Sequence, residues 1–152
     1  MLAFAKGRQD NADMSGRELI LIVDDTMANV RMLEAMLVRL GYRTLLTDSG
    51  QRAIDLAAEK GPDLILLDIM MPGMDGFETC RQLKLKPHTR QIPVVFMTAL
   101  SSIQDKLRAF EVGGVDYITK PFTAEEVTAR VKAYLTIRRL QGELLAERER
   151  FV

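Results

Sequence analysis

Apolar residues along this chain follow two alternating rhythms. Short unbroken runs at 19–23, 64–67 and 93–97 are rich in Val, Ile and Leu. Such runs read as strands buried on both faces. Residues 43–46 and 115–118 are four-residue segments, less apolar, that also read as strands. Between them lie stretches whose apolar residues recur every three or four positions, which predicts helices over about 27–40, 49–60, 76–85, 103–112 and from 123 onward. The first carries Val30, Leu33, Met36, Leu37 and Leu40, and Gly41 follows where a helix favours a left-handed residue. Ser49 or Asp48 caps the second helix, and Gly61-Pro62 ends it. Ser101 or Ser102 caps the fourth, which stops at Gly113-Gly114, and Thr123 with Glu126 three residues on makes a capping box for the last.

Five strands alternating with five helices predict an α/β fold, a (βα)5 doubly wound parallel sheet with helices on both faces. Right-handed crossovers leave the flavodoxin-like order 2-1-3-4-5 as the expected topology. That order sets the first strand beside the third, and so Asp24-Asp25 beside Asp68, with Thr98 and Lys120 following the fourth and fifth strands. Ligands of such sheets bind at the shared C-terminal strand edge. Like charges gathered there raise each other's pKa unless a cation sits among them. The natural reading is a divalent-metal site that holds a phosphoryl group on an aspartate.

The last helix is longer than the fold needs. From 123 to 152 it would run roughly 45 Å, about twice what packing on the sheet requires. Val127, Val131 and Leu135 make a sheet-facing stripe, whereas beyond Arg139 the apolar residues Leu140, Leu144, Leu145 and Phe151 stand among charges. Ile137, Leu140 and Leu144 have coiled-coil spacing, continued by Phe151 and interrupted by Glu147 at a core position. Gly142 weakens the helix by roughly 1 kcal/mol relative to Ala. Three segments are therefore expected: a flexible leader over 1–16, a domain over 17–138, and a helical linker or coiled-coil extension over 139–152 that leads toward a further domain.

Composition narrows the function classes. The 152 residues are 47% apolar and 28% charged, ordinary for one globular domain. Lys plus Arg equals Asp plus Glu at 21 each, so charge gives no reason to expect nucleic acid or a membrane as partner. Cys80 is the only cysteine and reads as a small buried hydrophobe, so no disulfide framework or secretion is implied. With one cysteine and one histidine, His88 in a polar loop, a zinc site has no ligands. A cytoplasmic location is expected, since no signal peptide and no membrane span can be read.

The pieces Val23-Asp24-Asp25, Leu67-Asp68-Ile69-Met70-Met71-Pro72-Gly73-Met74-Asp75-Gly76, Met97-Thr98-Ala99 and Asp116-Tyr117-Ile118-Thr119-Lys120-Pro121-Phe122 occur here in one order and spacing. Together they resemble the receiver domain of two-component response regulators. The resemblance covers about 18–138. It implies that Asp68 accepts a phosphoryl group from a histidine kinase or phosphotransfer protein. It also implies Mg²⁺ held by Asp25, Asp68 and the Met70 carbonyl, with Asp24 acting through water, which hard oxygen donors suit. Thr98 and Lys120 would each bond a phosphoryl oxygen, Tyr117 would be the rotamer switch, and the Lys120-Pro121 bond would be cis. Met70 and Leu100, two residues after the acceptor and the threonine, would govern how water reaches the phosphoryl group, and Ala99 would leave it room. Taken alone, Met70, Met71 and Met74 read as loop packing rather than a binding surface.

Dimerisation through the fourth helix, fifth strand, fifth helix and the extension is the expected response, with no nucleic-acid contact in this stretch and no catalytic turnover. The alternatives are a stand-alone regulator and a haloacid-dehalogenase-like phosphatase. The phosphatase needs Asp-x-Asp after its first strand, where this chain reads Asp24-Asp25-Thr26. A flavin site needs a hydroxyl-rich phosphate loop at the same place, and no Gly-rich lysine loop for a nucleotide is present.

Overall fold

Five parallel strands form the sheet: β1 (Leu19–Val23), β2 (Arg43–Thr47), β3 (Leu64–Leu67), β4 (Val94–Thr98) and β5 (Asp116–Thr119). Five helices connect and follow them: α1 (Met27–Arg39), α2 (Gly50–Lys60), α3 (Gly76–Leu85), α4 (Ile103–Glu111) and α5 (Ala124–Arg150). The structure is a computed structural model and describes residues 17–150. The leader expected over 1–16, and Phe151 at the end of the proposed seam, lie outside the described residues. The strand order is β2-β1-β3-β4-β5 and every pairing is parallel, as expected.

Side chains of a strand alternate between the two faces of a sheet, so each unbroken apolar run feeds two cores. Leu21, Val23, Ile65, Leu67 and Phe96 pack with α2, α3 and Ala109 of α4 on one face. Ile20, Ile22, Leu64, Leu66, Val95 and Ile118 pack with α1 and α5 on the other. Strands β1, β3 and β4 are buried throughout, whereas the edge strand β2 is half-exposed.

Local chemistry settles the alternatives left open by the sequence. Ser49 caps α2 by accepting from the Arg52 N–H, and Ser102 caps α4 by accepting from the Asp105 N–H. Thr123 Oγ1 accepts from the Glu126 N–H at 3.1 Å, the forward half of the expected capping box. Gly41 sits at φ +100° after α1, the left-handed position foreseen for it. Helix α5 runs unbroken through Gly142, where an added Cβ would meet open space. Its sheet-facing stripe Val127, Val131 and Leu135 is buried, while Ile137, Leu140, Leu144 and Leu145 are exposed. Met71 and Met74 pack against the core as expected of loop residues, but Met70 is 57% exposed and does not. Its side chain is carried outward by a loop whose backbone is turned toward Asp68.

Cys80 is fully buried on α3, its Sγ donates to the Val112 carbonyl, and burial pushes its thiol up to about 11. The reactive species is the thiolate, so a raised pKa keeps the group inert at neutral pH. In a disulfide-exchange colour assay at about pH 8 the native protein should release almost no signal, and one equivalent should appear in denaturant. Rapid reaction of the native protein would contradict this packing.

Candidate functional site

Register brings the site together. Val23 pairs with Leu67, and Asp68 continues the ladder by donating its N–H to the Val23 carbonyl at 2.9 Å. Thr98 pairs with Thr119, and the Lys120 N–H then donates to the Thr98 carbonyl at 2.8 Å. Each residue that follows or ends a central strand therefore arrives at the same edge. Carboxylate oxygens of Asp24, Asp25 and Asp68 lie within 4.8 Å of one another. Asp24 and Asp68 are buried, and Asp25 is exposed at the mouth.

Lys120 binds the two buried acids together. Its Nζ donates to Asp24 Oδ2 at 2.7 Å and to Asp68 Oδ2 at 3.2 Å. The other oxygen of Asp24 accepts from the Thr26 N–H at 2.8 Å, and that of Asp68 accepts from the Met70 N–H at 3.3 Å. The Lys120-Pro121 peptide bond is cis. Burial pushes the Asp68 carboxyl above the usual range, and the Asp24 charge adds to this, while the Lys120 ammonium and a hydrogen bond from the Thr98 hydroxyl pull the other way. Burial works against the Lys120 charge, but its bond to Asp24 and the charge of Asp68 outweigh that and raise its pKa. The ammonium form of Lys120 is thus favoured by its two acidic partners, and burial disfavours the charged form of Asp68.

The donor set fits a small hard divalent cation. Carboxylate oxygens in close reach of one another, one of them open to solvent, suit Mg²⁺, which retains waters and binds through few protein groups. Asp24, Asp25 and Asp68 each offer an oxygen to such an ion.

A second line of contacts leaves the acidic cluster through Leu100. The Leu100 N–H donates to Thr98 Oγ1 at 3.4 Å, and the Tyr117 hydroxyl donates to the Leu100 carbonyl. The Tyr117 ring lies 6.4 Å from that of Phe96 in the core. Burial, then the negative charges of Asp105 and Asp68, push its hydroxyl up to about 12, so it stays a donor. Tyr117 thus points inward, packed against the core. Ala99 and Pro121 are exposed beside the site, and Met70 and Leu100 both line a cleft that also includes Asp25, Pro72 and Arg108.

Asp24, Asp25, Asp68, Thr98 and Lys120, singled out in the sequence, stand together at this edge. The sequence reading did not assign roles to Asn29, Gly76 and Arg108. The Asn29 amide reaches Asp24 Oδ2 at 3.5 Å. A Cβ on Gly76 would fall 2.3 Å from the Asp68 carbonyl oxygen, so only glycine lets α3 abut the backbone of Asp68. Arg108 lies 4.4 Å from the Phe77 ring centroid and walls the cleft. Glycine directly after the acidic loop was the one signal available for these three.

Comparison with known proteins agrees with this geometry. Residues 20–132 match the family described as the response regulator receiver domain. The response regulator PleD of Caulobacter vibrioides is 48% identical over 136 residues, covering 90% of this chain and 29% of PleD. The chain thus spans less than a third of that relative's length. A putative response regulator from Chloroflexus aurantiacus superposes with a TM-score of 0.76 at 35% identity, covering 79% of this chain and 98% of that one. The receiver domain of the sensor histidine kinase PA1611 from Pseudomonas aeruginosa PAO1, solved with a magnesium ion coordinated in its active-site cleft, gives 0.74 at 31% identity over 79% of this chain and 98% of its own.

The strained charge at Asp68 has a measurable consequence. A carboxyl whose folded pKa lies above its unfolded value favours folding only when protonated, and its ionisation costs stability as pH rises through the folded pKa. Asp68→Asn, which leaves Lys120 paired with Asp24, should therefore be more stable than the unmodified protein at neutral pH in metal-free buffer. The gap should close as pH falls below the carboxylate range. Urea denaturation across pH measures it, and an Asp68→Asn protein less stable at neutral pH would contradict the assignment.

Proposed function

Because the chain belongs to the response regulator receiver domain family, we propose that it takes a phosphoryl group onto Asp68 from a histidine kinase or phosphotransfer protein. The observation that carries this is the single Lys120 ammonium shared between Asp24 and Asp68, with Asp25 within reach of both. An Asp68 oxygen attacks phosphorus, the bond from phosphorus to the donor's imidazole nitrogen breaks, and the imidazole leaves with that electron pair. Lys120 then turns part of its charge toward a phosphoryl oxygen, and the Thr98 hydroxyl moves its hydrogen bond from Asp68 to another. Bound Mg²⁺ would supply the remaining positive charge against the phosphoryl oxygens. The chain acts as an acceptor rather than as an enzyme with turnover, in the cytoplasm and without nucleic-acid contact. No helix among the described residues is long and apolar enough to cross a membrane.

The output of the switch is dimerisation. The Leu100 backbone ties Thr98, which ends β4 beside Asp68, to Tyr117 on β5. Drawing Thr98 toward a phosphoryl group would favour the inward Tyr117 and reshape the neighbouring surface. That surface carries exposed Ile103, Leu107 and Phe110 on α4 and Val115 before β5. A second copy meeting it about a two-fold axis would lay the α5 extensions side by side.

Acetyl phosphate with Mg²⁺ should add one phosphoryl group by intact mass. Asp68→Ala should carry none, and chelating the metal should abolish addition. A full adduct on Asp68→Ala would reject the site. The adduct should last minutes or longer, because Met70 and Leu100 flank the cleft with apolar side chains that cannot orient water. Met70→Asn should shorten it several-fold, and a half-life of seconds in the unmodified protein would contradict the screening role.

Light scattering should find dimers with beryllofluoride and Mg²⁺ and monomers without. A monomer in both states at high micromolar concentration would reject the switch.

A further inference from the structure

The cleft beside the acidic cluster holds a cation that the acceptor chemistry does not use. The cleft has a volume of about 480 Å³. It is lined by Met70 and Pro72, which follow Asp68, and by Leu100, which follows Thr98. Asp25, exposed at the mouth of the cluster, also lines it. Asp68 is buried and turned toward Lys120 and the Met70 N–H. The cleft therefore lies on the solvent side of the acceptor carboxylate.

Arg108 of α4 is the one cation on these walls among the described residues. Its guanidinium carbon lies 4.4 Å from the centroid of the Phe77 ring, and Phe77 is itself buried. That contact draws on the charge and leaves the N–H donors free. Among the described residues the guanidinium makes no hydrogen bond and no ion pair. The neighbouring acids are engaged elsewhere. Asp105 Oδ2 accepts from the Ser102 hydroxyl at 2.7 Å, and Asp75 Oδ1 accepts from the Glu78 N–H at 2.9 Å. A guanidinium held over a ring, with free donors beside apolar walls, matches a carboxylate in both charge and shape.

We propose that Arg108 selects the phosphodonor by its leaving group, receiving the carboxylate released from an acyl phosphate. The proposal rests on the acceptor role of Asp68 and adds a specificity determinant to it. In an in-line displacement the leaving atom stands opposite the attacking oxygen. With Asp68 on the floor of the site, that direction is outward, into the cleft. An Asp68 oxygen forms the new bond to phosphorus, and the bond from phosphorus to the acyl oxygen breaks. The acyl oxygen keeps the electron pair and departs as a carboxylate, with no proton transferred. Negative charge grows on it as the bond breaks, so a guanidinium there stabilises the transition state more than the ground state. A donor with a phosphorus–nitrogen bond gains no such help. Its nitrogen is already protonated, departs as a neutral amine, and takes its next proton from water.

Phosphoryl uptake by the whole chain, followed by intact mass in dilute protein with saturating Mg²⁺, tests this with two donors. Acetyl phosphate releases acetate, and phosphoramidate releases ammonia. Arg108→Met keeps a long side chain over Phe77 without the charge, and Arg108→Lys keeps the charge. The rate constant for acetyl phosphate divided by that for phosphoramidate should fall about five-fold in Arg108→Met, the size of one charged contact near a surface. Arg108→Lys should keep most of that ratio. Raising salt from about 0.02 M to about 0.5 M should lower the ratio more in the unmodified protein than in Arg108→Met. A residue that only walls the cleft would alter both donors alike. An unchanged ratio in Arg108→Met therefore overturns the proposal and leaves the acceptor role standing. A loss in Arg108→Lys as large as in Arg108→Met also overturns it, because charge is then not the cause. The salt dependence of the unmodified protein reads the same charge without any substitution, and a ratio indifferent to salt contradicts the proposal. No uptake from either donor by the unmodified protein overturns the acceptor role and the proposal together.

Discussion

The structure is organised around one electrostatic problem, three carboxylates at one edge of a sheet with a single ammonium among them. Lys120 reaches Asp24 and Asp68 from 96 and 52 residues away in the chain. Such a contact exists only if β1, β3 and β5 run parallel and in register, so it depends on the whole fold. The fold in turn carries a cost at this edge, since burial raises the Asp68 pKa despite its cation. Two continuous apolar cores outweigh that cost. A site that is electrostatically uneasy when empty of other charge is well suited to gaining a metal ion and a phosphoryl group.

Much of this could be read from the sequence because the fold is built by short-range rules. Unbroken apolar runs such as Leu64–Leu67 can only be strands buried on both faces, and the alternation with helices fixes a parallel sheet. Once the order is known, residues just past each strand must meet, so Asp24, Asp68, Thr98 and Lys120 were placed by counting. Cap choices were less legible. Asp48 and Ser49 are both good caps, and Ser101 and Ser102 are identical, so only backbone geometry decides between neighbours.

Other features were illegible because they depend on close approach between distant segments. Nothing local in Gly76 tells that a Cβ there would strike the Asp68 carbonyl. Nothing in Leu100 tells that both ends of its peptide are used, the N–H by Thr98 and the carbonyl by Tyr117. That backbone matters because it joins Thr98, beside Asp68, to the aromatic residue on β5. The exposure of Met70 was also missed, since its neighbours Met71 and Met74 do pack inward. Periodicity reports which residues can be buried together, not which backbone groups touch.

The residue proposed to become the acyl phosphate is Asp68. Borohydride reduces an aspartyl phosphate to homoserine, which marks the residue permanently. Protein treated with a small phosphodonor and Mg²⁺, reduced, digested and sequenced by mass spectrometry should carry homoserine at position 68. Homoserine at 24 or 25 instead, or at no aspartate while the protein still takes up phosphate, would contradict the account.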